Sequence, residues 1–178
     1  SDAEELLKRV ADLLKASLES LEKILRDSKE LMDRWRKKLE DLLRESEELV
    51  DRAEKILRRG GSDKEVLDKI AEEVRRTNDD SRRLDEELHR LSRDTLRKLE
   101  ENLRRTEKEV REMDKRAAER GVDERVREEL KKLLTRVEEE HRKVLETDKK
   151  ILKEAHKESK EVNDRDRELL ERLEESVR

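Results

Sequence analysis

A chain of 178 residues with no proline has almost nothing to stop a helix, and its three glycines stand at only two places, Gly60-Gly61 and Gly121. Glycine suits the left-handed position just past a helix end. The two sites therefore cut the chain into three segments of roughly 57 residues, about 85 Å of helix each at 1.5 Å per residue. The spacing predicts helices over about 2–59, 63–120 and 123–178. Capping chemistry agrees with these bounds. Ser1 with Glu4, and Ser62 with Glu65, have the capping-box spacing in which a hydroxyl accepts from the backbone and a carboxylate reaches back. Asp123 suits the N-cap of the third helix. Val122 is placed to fold back on Ala117 beyond Gly121. Arg58, Arg59 and Arg120 fall in last turns, where a cation favours the helix dipole.

The apolar stripe decides how the helices pack. In the third segment it runs Val126, Leu130, Leu134, Val137, His141, Leu145, Asp148, Leu152, and on to Val177. The mean step is about 3.6 residues, whereas a left-handed coiled coil holds 3.5. The first segment, from Ala3 to Leu57, has the same step. Such a stripe suits nearly straight helices, and short loops between long helices make neighbours antiparallel. The fold class predicted is all-α: an up-down-up antiparallel three-helix bundle of long, nearly straight helices, with residues 1–178 forming a single domain.

Charged residues make up 56% of the chain and apolar ones 30%, a balance that also occurs in disordered chains. Here the signs nearly cancel, to a net −4, and the charged residues are mostly the helix formers Glu, Lys and Arg. That is the bias of long helices and coiled coils. With no cysteine, disulfides, thiolate metal sites and cysteine nucleophiles are excluded. No apolar run is long enough for a membrane span or a signal peptide. Nucleic-acid binding calls for a basic stripe or stacking aromatics, and the chain has a single aromatic, Trp35.

The informative anomaly lies inside the stripe. With so few apolar residues, core positions should not be given to polar ones. Yet Ser28, Ser46, Thr77, Ser81, Thr95, Asn102, Thr106, His141, Asp148, Ser159 and Asp166 occupy them. Height along an antiparallel bundle groups these residues. His141 falls level with Asn102 and with Ser17 and Ser20. Asp148 falls level with Thr95 and Ser28, and Asp166 with Asn78, Thr77 and Ser46. A shared height is what buried polar groups need, because an unpaired one costs roughly 1–3 kcal/mol. A complete network offsets that cost and disfavours other registers.

Equal helices, glycine loops with Ser or Asp caps, a Glu/Lys/Arg surface and polar layers across a core resemble de novo designed helical bundles with buried hydrogen-bond networks. The resemblance covers the whole chain and carries no catalytic motif. It implies a synthetic, soluble structural scaffold without natural activity, made in a cytoplasmic expression host. The alternative is a binding or assembly module that accepts a fourth helix or self-associates through an apolar groove, since Leu6, Leu13, Leu43 and Leu49 flank the first stripe. The chain is expected to be a monomer or a helix-mediated oligomer. It is not expected to be an enzyme, to hold a cofactor, or to bind nucleic acid, membrane or a small-molecule substrate.

Other candidate sites have plainer readings. No two of His89, His141 and His156 have the i, i+4 spacing common to metal ligands, so no metal site is expected. His89 and His156 do share a height, near Trp35. Asp148 and Asp166 lie about 27 Å apart along one helix, too far for a catalytic carboxylate pair, and read as network acceptors. Trp35 reads as a core residue whose indole N–H finds an acceptor.

Overall fold

The computed structural model describes residues 1–60 and 63–177, with side chains through Ser176. It contains α1 (Asp2–Arg58), α2 (Lys64–Glu119) and α3 (Glu124–Val177). The helix ends follow the capping chemistry. Glu4 N–H donates to Ser1 Oγ at 3.4 Å, and the Glu4 carboxylate lies 3.9 Å from the terminal amine. Asp63 starts α2, its carboxylate accepting from Val66 N–H at 3.4 Å. Ser62, the expected cap, lies outside the described residues, as does Gly61. Asp123 accepts from Arg125 N–H at 3.2 Å.

Gly121 ends α2 at φ 72°. Its N–H donates to the Ala118 carbonyl at 3.1 Å, and Val122 N–H reaches back to the Ala117 carbonyl at 3.0 Å. Those two bonds satisfy carbonyls that the helix end would otherwise leave bare. A Cβ on Gly121 would meet nothing within 4 Å, so the backbone angle, and not crowding, requires glycine there.

The chain divides into two compact units, residues 1–29 with 92–151, and residues 30–91 with 152–178. Each helix contributes a segment to both. In the first unit, Val10, Leu14, Val110, Leu130, Leu134 and Val137 form an apolar cluster. In the second, the cluster includes Val50, Ala53, Ile70, Val74 and Leu173.

Cross-helix bonds fix the directions. Ser17 meets Thr106, Ser28 meets Thr95 and Ser46 meets Thr77, so each advance along α1 is matched by an equal retreat along α2. Arg36 pairs with Glu158 and Glu47 with Arg165, so α1 and α3 advance together. The topology is up-down-up, as the short loops predict. These ion pairs are partly exposed, and each contributes little.

Candidate functional site: buried polar layers

In the first unit α1 turns Ser17 inward, α2 turns Asn102 and Thr106, and α3 turns His141; all four are buried. Asn102 Nδ2 donates to the Ser17 carbonyl at 3.0 Å and lies 3.1 Å from His141 Nε2. A side-chain amide nitrogen carries two protons, and these two contacts use both. His141 Nε2 must then accept, which leaves the ring proton on Nδ1, 3.1 Å from the Val137 carbonyl. Turning the amide over would set its oxygen against the Ser17 carbonyl oxygen. The layer therefore holds His141 neutral in one tautomer. Burial pushes its pKa below the ordinary range, with the Val137 carbonyl and the charge of Glu107 working in the opposite direction.

The hydroxyls complete the layer. Thr106 Oγ1 lies 2.7 Å from Ser17 Oγ and 2.9 Å from the Asn102 carbonyl. Thr106 is the donor in both contacts, and its one proton serves either the Ser17 hydroxyl or the Asn102 carbonyl at a time. Ser20 shares the height of these residues and takes no part. It is exposed, standing about 60° round the helix from Ser17 at the edge of the stripe.

Two further layers have matching composition. Ser28, Thr95 and Asp148 are buried in the first unit, and Ser46, Thr77 and Asp166 in the second. Each residue of one is displaced from its counterpart by about five helical turns. The hydroxyl pair is 3.4 Å apart in the first and 2.7 Å in the second. Thr77 also donates to the Val74 carbonyl at 2.8 Å, leaving the Ser46 hydroxyl as the donor of that pair. Asn78, next to Thr77, is buried as well.

The carboxyls fare worse than the hydroxyls. Asp148 Oδ2 and both oxygens of Asp166 are buried with no hydrogen-bond partner. Burial pushes both acids above the ordinary carboxylate range. At Asp166 the nearby Ser46 hydroxyl opposes that rise without cancelling it.

The second unit also contains a chain of polar groups that leads outward. Ser81 donates to Asn163 Oδ1. Asn163 Nδ2 lies 3.5 Å from Ser159 Oγ, and Ser159 donates to Asp85 Oδ1 at 2.7 Å. The other Asp85 oxygen is 3.5 Å from His89 Nε2, and the His89 and His156 rings stack with centroids 4.4 Å apart. Burial, followed by the neighbouring His89, lowers the His156 pKa, and Asp85 opposes this. Asp85 and Asn163 sit one step off the apolar stripe, so stripe reading passed over both. Their only sequence signal is that Ser81 and Ser159, at core positions, each need a partner. Trp35 is buried, and its indole N–H donates to the Leu84 carbonyl at 2.8 Å.

Fold and layers together define an all-helical three-helix bundle with hydrogen-bonded polar residues in its interior. No protein-family model matches the chain, and no curated protein does. Among solved structures, the chain is similar to one described as a computationally designed three-helix bundle, at 18% identity and a TM-score of 0.40, covering 99% of this chain and 86% of that one.

Proposed function

We propose that this chain is a structural scaffold, a designed bundle whose buried polar layers select helix pairing and register and which has no natural activity. The observation that carries this reading is the closed layer of Ser17, Asn102, Thr106 and His141, where both amide protons and the ring nitrogens have defined partners. A layer of that kind rejects a shifted register, because any slip leaves several buried groups unpaired.

The flanking leucines favour a self-contained bundle over a module awaiting a fourth helix. Leu49 is buried, and Leu6, Leu13 and Leu43 are half-buried. Leu6 and Leu13 pack on the first unit's own cluster. Among the described residues, Leu31 at 46% is the exposed large apolar side chain, and a lone exposed apolar residue is ordinary.

Size-exclusion chromatography with light scattering tests the reading. Wild type should remain a monomer of 21.5 kDa at high concentration. The double variant Asn102→Leu/His141→Leu should keep or gain thermal stability but elute as a mixture of species. A wild type that self-associates, or a double variant that is equally uniform, would refute it.

A further inference from the structure

We propose that Asp85, His89 and His156 form a binding site for a divalent transition-metal ion of the zinc or cobalt type, with Ser159 holding Asp85 in position. The three side chains each offer a ligand atom, and these atoms lie within 4.8 Å of one another. The backbone explains why they converge. Asp85 and His89 are one turn apart on α2 and share a face. Ser159 of α3 pairs with Asp85, and α2 and α3 run in opposite directions, so the next turn brings His156 opposite His89. Their stacked rings, tilted 35°, show that it does.

The donor set selects the ion. Two imidazoles and a carboxylate suit zinc and its neighbours, whereas calcium and magnesium prefer all-oxygen sites. Zinc bonds of about 2.0–2.2 Å require ligand atoms roughly 3.3 Å apart in a tetrahedron. The gap between Asp85 Oδ2 and His89 Nε2, 3.5 Å, is already close to that. The remaining adjustment is a small rotation of side chains that are partly solvent-exposed. Three protein ligands would leave the fourth position to water.

Ser159 supplies the second, independent observation. It is fully buried and donates to Asp85 Oδ1 at 2.7 Å, which leaves Oδ2 as the oxygen facing His89. A hydrogen bond to a ligating carboxylate is the usual device for orienting it. Without an ion, the site is a carboxylate beside two imidazoles, an arrangement an interior network does not require.

The test is a titration of tag-free protein with cobalt(II), read by its visible absorption, then displacement by zinc(II). Saturation at one ion per chain is expected, with a spectrum characteristic of low coordination number. His89→Ala and His156→Ala should each abolish the saturable signal, and Ser159→Ala should weaken binding by about 10–100-fold. His141→Leu, which removes the histidine of the other unit, should leave the titration unchanged. Far-UV circular dichroism establishes that each variant is helical, and His89→Gln provides a second test should the alanine variant misfold. Absence of saturable cobalt binding by wild type, or binding that persists in His89→Gln and His156→Ala, would overturn the assignment.

Discussion

The His141 layer and the Asp166 layer solve the same problem with different donor counts. Both place polar groups from α1, α2 and α3 in the interior of a unit. In the His141 layer the amide of Asn102 brings two protons, one for the Ser17 carbonyl and one for His141 Nε2. In the Asp166 layer the bonded donors are the Ser46 and Thr77 hydroxyls, and the buried Asn78 amide does not reach the carboxyl. One proton goes to the Val74 carbonyl and the other lies between Ser46 and Thr77, so the carboxyl oxygens are left without partners. Burial alone does not decide whether a polar layer stabilises; the arithmetic of protons and lone pairs does. It also sets the preferred charge state. One layer holds its histidine neutral, and the other favours a protonated acid, which becomes the missing donor.

The largest effect should come from breaking the complete layer. Asn102→Ala removes the donor to His141 Nε2, and an orphaned buried group costs about 1–3 kcal/mol, whereas the Ser17 carbonyl keeps its bond within α1. Urea denaturation at pH 7.5 should show a loss of about 2–5 kcal/mol, the upper part reflecting the cavity. A loss under 1 kcal/mol would mean that water replaces the amide.

The incomplete layer should respond in the opposite direction. Asp166→Leu removes a buried acid without stranding a donor, and stability at pH 7.5 should rise by about 1–3 kcal/mol. The gain should shrink as pH falls. The folded state of wild type binds the proton more readily than the unfolded chain, so wild type recovers stability on acidification from its raised folded pKa down to the unfolded value near 3.9. Denaturant melts at pH 7.5 and 4.5 would show this. A stability gain that does not change with pH would mean that Asp166 binds its proton no more readily in the folded state than in the unfolded chain, and would refute the idea.

His141 should show the reverse sign. Its lowered folded pKa means that the unfolded chain binds the proton more readily. Stability from this group is full above about 6.5 and is lost as pH drops from there to the folded value. Wild type should therefore lose more stability than His141→Leu between pH 7.5 and 5. The difference should be smaller than the two effects above, since only part of one proton's linkage falls within that window. Equal losses would sink the idea.

The smallest contrast is between the two matching layers. Ser46→Ala breaks a 2.7 Å hydroxyl contact and should cost about 1 kcal/mol. Ser28→Ala breaks one of 3.4 Å and should cost about half of that or less. Thermal melts of the two variants, measured side by side, would rank them.

The helices were legible in the sequence because their punctuation is local. Gly60, Gly121 and Asp123 set their own surroundings, and the observed bounds lie within one residue of those the glycines predict. The heights of the layers were legible too, because they follow from rise per residue alone. Azimuth was not. Ser20 has the right height and faces outward, while Asp85 and Asn163 flank the stripe and still reach Ser159 across helices. Height alone sets His89 level with His156, but it gives no sign that the Asp85 carboxylate, one turn earlier on the same helix, joins them. Side-chain reach across an interface depends on rotation about the helix axis, and an error of one residue there is about 100°.

The serine–threonine pairs between α1 and α2 have a further consequence. Ser17 and Ser28 are about three turns apart, and Ser28 and Ser46 about five. These unequal intervals act like the cuts of a key. If α2 slid along α1 until Ser17 faced Thr95, Ser28 would face Leu84 and Ser46 would face Val66. If it slid until Ser28 faced Thr77, Ser17 would face Leu88. No displacement lines up more than one of these three serine–threonine pairs, so the native alignment keeps an advantage of two such pairs over any slipped one. Evenly spaced pairs would have offered a ladder of near-correct alignments, each a place for the chain to stall.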